Sequence, residues 1–297
     1  MIRETALDLT GNTPLVKIRC LTEKDDATIL AKLEMFNPSG SVKDRIVKYI
    51  VESAERGGHL KKGDTIVEAT SGNTGIALSM IGTMKGYRVK IFMSRTASQE
   101  RREIIRSYGG ELILTGDEYE AIRLAEECSK SSSCHLLNQF GSPLNVEAHY
   151  NTTGAEILDQ TNGQLDAFIA GIGTGGTITG VGRRLKEHRS GIQVIGCEPD
   201  LETKIEGLLN FTDSNCKPQI LDLELVDELV RVKDQDALKM TREIARREGL
   251  FVGVSSGAVI HVALQKAKEL GKDKRVVVVL ADGGSKYLST TAFKEPG

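Results

Sequence analysis

Lys43 lies in the stretch Asn37-Pro38-Ser39-Gly40-Ser41-Val42-Lys43-Asp44-Arg45, where a turn leads into a helix. Pro38 and Gly40 punctuate the chain. Ser39 or Ser41 can accept hydrogen bonds from the orphan amides of a helix start. Val42, Ile46, Val47, Ile50, Val51 and Ala54 then fall on one helical stripe. Lys43 stands beside that stripe in the first turn, at the positive end of the helix dipole. An ammonium is disfavoured there, and the neutral amine is the form that makes imines with carbonyl compounds. The plainer alternative is a surface lysine whose stem covers the helix start.

Three glycine-rich loops could serve that lysine. Thr70-Ser71-Gly72-Asn73-Thr74-Gly75 combines close backbone approach with short hydrogen-bonding side chains before a helix. It suits a carboxylate, although a simple helix cap uses the same residues. Gly171-Ile172-Gly173-Thr174-Gly175-Gly176-Thr177 follows an apolar strand and opens a helix. It matches G-x-G-x-x-G, with Glu198 the acidic residue that a dinucleotide site places about 20 positions on. The added Gly175, Thr174 and Thr177 fit a cup for a terminal phosphate monoester better, and a dinucleotide would leave Lys43 and the first loop without a role. Gly253-Val254-Ser255-Ser256-Gly257 matches the G-x-S-x-G nucleophile elbow. A hydrolase triad is not available: His261 is the only histidine after Ser255, and no acidic residue stands between them. Ser255 or Ser256 either caps a helix or faces a ring nitrogen. Asp282-Gly283-Gly284 forms a fourth turn at a strand end.

The elements that must position these loops alternate along the chain. A short strand follows Asn12-Thr13-Pro14, and further strands are expected at 27–33, 65–69, 88–93, 111–114, 135–138, 166–170, 193–197 and 275–280. Helices are expected from Lys43 to Gly57-Gly58, and at 76–85, 100–109, 121–129, 153–160, 177–188, 234–248 and 256–269. This rhythm implies parallel sheets covered on both faces, in two α/β lobes that meet at a cleft. Ligands in such folds sit at the carboxyl ends of strands, where the glycine loops fall.

Composition excludes several classes. With 297 residues the core is ample, and a net charge of −2 argues against nucleic acid or a membrane surface as partner. Trp is absent and aromatics are 4%, which removes stacking platforms for nucleic acid. Cys20, Cys128, Cys134, Cys197 and Cys216 are odd in number and lack C-x-x-C. They read as reduced, buried small hydrophobes of a cytosolic protein. The N-terminus from Met1 lacks the apolar core of a signal peptide, and no apolar run could span a bilayer. The five histidines are scattered, so no metal cluster is expected; His149-Tyr150 lies between the lobes.

The full set of motifs resembles the cysteine synthase family. It comprises Gly11–Leu15, Pro38–Arg45, Thr70–Gly75, Ser98–Arg102, Gly173–Thr177, Gly253–Gly257 and Lys286–Thr290, and it spans essentially the whole chain. The resemblance implies the tryptophan-synthase β-like α/β fold, with residues 40–146 as the smaller lobe and residues 1–39 plus 147–297 as the larger. It implies pyridoxal phosphate as cofactor, a homodimer, and a cytoplasmic enzyme acting on an amino acid and sulfide or a thiol. Carried over, Lys43 would bind the cofactor as an imine and move the Cα proton. Gly173, Thr174, Gly175, Gly176 and Thr177 would hold its phosphate. Asn73 would meet the ring hydroxyl and Ser255 the ring nitrogen. Thr70, Ser71, Gly72, Thr74 and Gln139 would take the substrate carboxylate. The implied reaction replaces the acetate of O-acetyl-L-serine by sulfide.

The chain resembles both bacterial branches of the family. Val254, His149-Tyr150 and Asp282-Gly283-Gly284 lean towards the B-type; Lys204-Ile205-Glu206-Gly207 looks more like the A-type, and Leu208-Leu209-Asn210 stands where the B-type has an arginine pair. The resemblance extends to cystathionine β-synthase, phosphoserine-using synthases, and desulfhydrase or lanthionine enzymes, which differ in leaving group and nucleophile.

Overall fold

The computed structural model describes residues 2–211 and 217–294. Met1 and Cys216 lie outside the described residues. The chain begins β1 (Leu15–Lys17), β2 (Thr28–Leu33), α1 (Lys43–Arg56), β3 (Thr65–Ala69), α2 (Asn73–Met84), β4 (Arg88–Ser94), α3 (Gln99–Ser107), β5 (Glu111–Thr115), α4 (Glu118–Cys128) and β6 (Cys134–Leu136). It continues α5 (Pro143–Ala148), a π-helical turn (His149–Gly154), α6 (Ala155–Thr161), β7 (Ala167–Gly171), α7 (Gly176–His188), β8 (Gln193–Pro199) and β9 (Glu228–Val232). It closes with α8 (Asp234–Glu248), α9 (Val254–Leu270) and β10 (Arg275–Leu280).

Two sheets organise these elements. The smaller has the order β5-β4-β3-β6, and all its pairs are parallel. The larger has the order β1-β2-β10-β7-β8-β9, parallel except for the antiparallel edge pair β1–β2. β10 explains the layering. Its apolar run Val276–Leu280 is buried throughout, as a strand covered on both faces must be. Val276, Val278 and Leu280 pack towards α9 with Ala258 and Ala263, whereas Val277 and Val279 join Val181 and Leu185 of α7. That two-residue alternation assigns each face its own helix. Around the smaller sheet, Ile46, Val47 and Val51 of α1 meet Ile66, Ile76 and Ile91 on one face, and Val67 and Phe92 meet Ala121 and Ala125 of α4 on the other.

Three features depart from the sequence expectation. β9 carries Glu228 and Arg231 on an exposed edge, and this masks its strand pattern. Helix α5 starts at Pro143, and a π turn of His-Tyr-Asn-Thr-Thr-Gly leads into α6, so the helical stretch begins earlier than expected. Asn, Thr and Gly are poor helix formers, and the signal was correspondingly weak. The cysteines are not uniformly buried: Cys20 is exposed and Cys128 only partly covered, while Cys134 and Cys197 are buried. Cys128 and Cys134 are close in space, with their thiols 2.7 Å apart. Among the described residues no helix is long and apolar enough to cross a membrane.

Candidate active site

Lys43 opens α1, and its surroundings tie that helix start to the turn after β2 and to α6. Arg45, two residues on, is buried and bonds Glu34 through Nε at 2.7 Å and Glu156 through Nη1 at 2.6 Å. Glu156 in turn pairs with the buried Lys32 of β2 at 2.7 Å. The turn before the helix is pinned as well. Val42 N donates to Ala281 O at 2.8 Å, and Ser39 N donates to Asp44 Oδ2 at 2.6 Å. Of the two expected serine caps, Ser41 accepts from Lys43 N at 3.2 Å, while Ser39 is taken by Asp44. The Lys43 side chain is only partly covered by area. Its ammonium is nevertheless desolvated by the protein packed about it, which lowers its pKa from 10.5 to about 8, with the Asp282 carboxylate opposing. The neutral amine is therefore populated near physiological pH.

Lys43 lines a partly open cavity. Gly173, Thr174, Gly175 and Thr177 line it from the start of α7, and Ser255 from the first turn of α9. The glycines are there for close approach. A Cβ on Gly173 would lie 2.7 Å from Gly207 O, and one on Gly176 would overlap the Asn145 carboxamide. Gly175 has a φ of 85°, which favours glycine. The result is a bare backbone rim at a helix N-terminus, whose first amides lack intrahelical partners and whose dipole favours an anion. This cradle, with a neutral amine on the same wall, fits a phosphorylated aldehyde.

The other loop stands apart from that cavity. Thr70, Ser71, Gly72, Asn73 and Thr74 do not line it but form the start of α2. Thr70 Oγ1 accepts from Gly72 N at 3.2 Å, and Ser71 is exposed. Two chains of hydrogen bonds join this loop to the cavity. In one, Thr74 Oγ1 donates to Gln139 Oε1 at 2.6 Å. Asn145 Nδ2 then donates to Gln139 O at 2.9 Å and to Thr174 Oγ1 at 3.1 Å. In the other, Asn73 Nδ2 donates to Asp282 Oδ2 at 2.7 Å, beside the cavity-lining Ala281. Below both, the buried Glu68 accepts from Ala69 N at 3.1 Å and from Gln139 N at 3.2 Å. Burial raises its pKa from 4.5 to about 7, against the lowering effect of those amides.

Several of these neighbours carried no sequence signal. Asn145 sits in an unremarkable Pro-Leu-Asn-Val run and becomes a bridge only when α5 packs on α7. His149, noted only for its position between the lobes, is buried in the π turn, with Nδ1 2.9 Å from Thr153 Oγ1 and Nε2 3.2 Å from Thr177 Oγ1. Burial pushes its pKa well below 6.5, helped by the positive charges of Lys43 and Arg45, so the ring is neutral. Ser256 neither caps α9 nor faces the cavity: Gly253 is the cap residue, and Ser256 Oγ accepts from Ala281 N at 3.2 Å. Glu198, the acidic residue of the dinucleotide pattern, is buried and bonds Arg231 at 3.1 Å.

A family model described as "Pyridoxal-phosphate dependent enzyme" matches residues 6–282. The chain belongs to this family. The pyridoxal-phosphate-dependent enzyme is 44% identical over 293 residues to a cysteine synthase of Staphylococcus aureus (strain Mu50), covering 95% of this chain and 94% of that one. It is also 44% identical over 288 residues to cysteine synthase B of Escherichia coli (strain K12), covering 96% and 94%. The solved structure of a cysteine synthase from Entamoeba histolytica matches with a TM-score of 0.94 and 39% identity, over 100% of this chain and 92% of that one. These findings displace the dinucleotide reading of Gly171–Gly176. The α/β fold is the one the motif resemblance implied. Among the described residues no group of three or more His, Cys, Asp or Glu could hold a metal ion.

Proposed function

We propose that this enzyme is a cysteine synthase, replacing the acetate of O-acetyl-L-serine with sulfide to give L-cysteine and acetate. One observation carries the reading: Lys43, with an amine lowered to about 8, shares a cavity with the Gly173–Thr177 cradle and Ser255. Similarity to named cysteine synthases over nearly the whole chain supports it.

Lys43 would hold the cofactor covalently through its amine. Gly173, Thr174, Gly175, Gly176 and Thr177 would hold the phosphate, Asn73 would meet the ring hydroxyl, and Ser255 the ring nitrogen. Thr70, Ser71, Gly72 and Thr74, at the N-terminus of α2, take the substrate carboxylate together with Gln139. When bound, pyridoxal phosphate supplies an electron sink for the pair left at Cα. Lys43, once its amine is freed by the incoming amino acid, removes the Cα proton and later returns it to the same carbon. A base near pKa 8 is well matched to both tasks. Ser255 governs the choice of reaction. A neutral hydroxyl stabilises a protonated ring nitrogen less than a carboxylate would, which favours loss of a Cβ group over transamination.

The finer reading has residues 40–146 as a smaller lobe and residues 1–39 plus 147–297 as the larger, with a homodimer working in the cytoplasm. The deciding assay measures L-cysteine formed from O-acetyl-L-serine and sulfide by the holoenzyme, with Lys43→Ala as control. Cysteine formation that is lost in the variant supports the proposal. Turnover of serine with homocysteine, or of phosphoserine, but not of O-acetylserine would contradict the substrate and leave the cofactor chemistry in place.

A further inference from the structure

Asn73 is held from both ends by buried charged residues. Its Nδ2 donates to Asp282 Oδ2 at 2.7 Å, and its Oδ1 accepts from Lys286 Nζ at 2.9 Å. A lysine ammonium is donor-only and a carboxylate is acceptor-only, so chemistry alone fixes which end of the carboxamide is nitrogen. Both partners are themselves anchored. Lys286 Nζ also donates to Gly40 O at 3.0 Å, and Tyr287 OH donates to Asp282 Oδ2 at 2.7 Å. Asp282, Lys286 and Tyr287 are 1%, 4% and 1% exposed.

Both hydrogen-bond acceptors of Lys286 are neutral, and the charges of Asp282 and Asp44 offset part of the cost of burying its ammonium. Its two bonds tie Gly40, in the turn before Lys43, to Asn73, at the head of α2. After the clamp forms, Asn73 keeps one N–H uncommitted and remains partly open to solvent. An anionic ring oxygen can approach only the nitrogen end.

We propose that Asp282 and Lys286 are positioning residues for the cofactor: they lock the Asn73 carboxamide so that it presents an N–H, never its carbonyl, to the ring oxygen of pyridoxal phosphate. This rests on the reading of Asn73 as the residue that meets the ring hydroxyl. The effect is on the ring's acidity as well as its placement, because a fixed donor favours the ionised oxygen.

The test titrates the visible absorbance of the holoenzyme against pH, with no substrate present. Asn73→Ala is expected to move the midpoint upward by about one pH unit, the tenfold effect of one charge-assisted hydrogen bond. Lys286→Met should move it the same way and add nothing once Asn73 is already alanine. Lys286→Gln replaces Lys286→Met should the latter not fold. Asp282→Asn also removes a charge that acts on Lys43 directly, so its part in the clamp is read as the portion of its shift that disappears in the Asn73→Ala background. A silent Asn73→Ala would overturn the reading of Asn73 itself, and with it this inference. A shift in Asn73→Ala beside a silent Lys286→Met would overturn the clamp alone. A Lys286→Met shift that persists undiminished in the Asn73→Ala background would also overturn it, since that charge would then act on the site directly. A merely structural tie would lower thermal stability without moving the midpoint.

Discussion

Arg101 on α3 and Glu206, more than 100 residues later in the chain, form an ion pair, Nη1 to Oε2 at 2.5 Å. Arg101 is buried, stacks over the Tyr287 ring at 4.5 Å, and lies so close to Gly72 that a Cβ there would be 3.3 Å from its Nε. Glu206 adjoins Gly207, which lines the Lys43 cavity. The pair therefore holds the Thr70–Gly75 loop against the side of the Lys43 cavity. Glu206→Ala should raise KM for the amino-acid substrate about fivefold, one hydrogen bond's worth, with kcat changed less. Steady-state kinetics with varied O-acetylserine measures this; an unchanged KM would separate the pair from substrate binding.

The Lys43 amine sets a pH dependence for cofactor uptake. Its folded pKa of about 8 lies below 10.5, so the reactive neutral form grows as pH rises through 8. Reconstitution of apoenzyme with pyridoxal phosphate should accelerate over that range and level off above it. Asp282 holds the lysine's pKa up, so Asp282→Asn should move the profile to lower pH. Stopped-flow absorbance across pH reads both effects.

Glu68 leaves its mark on stability. Its carboxyl titrates near 4.5 when unfolded and about 7 when folded, so between those values the folded state holds more protons. Stability from this group is therefore greatest at low pH and falls as pH rises through that window. The melting temperature of wild type relative to Glu68→Gln should decline from pH 5 to pH 7. A difference that stays flat would place the Glu68 pKa elsewhere.

The cradle is intolerant of a methyl group. Gly176→Ala drives a Cβ into the Asn145 carboxamide, which is fully buried and bonds Gln139 and Thr174. Relief of that clash should cost about 1–3 kcal/mol of stability and weaken cofactor binding as well. Calorimetry and reconstitution titration check the two effects separately.

Ser255→Asp tests reaction choice. A carboxylate at the ring nitrogen would draw more charge into the ring, and kcat for cysteine formation should fall at least about tenfold, equivalent to 1.4 kcal/mol on the barrier, while the cofactor stays bound. An unchanged rate would remove Ser255 from that role.

Much of this was legible because the chemistry is written in contiguous runs. Lys43 with its apolar stripe, the G-T-G-G-T loop and the VVVVL strand each announce an element and its burial through local periodicity and glycine placement. What stayed hidden depends on partners distant in sequence. Asn145 matters only because α5 lays it against Gly176, and His149 only because a π turn rotates it onto Thr177. Asp282 read as a turn residue and Lys286 only as part of a motif, yet both are buried against Asn73, more than 200 residues away in sequence. Ser39 and Ser41 were equivalent as caps until Asp44 claimed one of them.

The most direct measurement of the central claim is the visible spectrum of the purified holoenzyme before and after O-acetyl-L-serine, and again after sulfide. The account predicts a band from cofactor joined to Lys43, a shift on adding the amino acid, and reversion when sulfide discharges it as cysteine, with the first band missing in Lys43→Ala. A protein that cannot be reconstituted with pyridoxal phosphate, or a band in wild type indifferent to O-acetylserine, would contradict it.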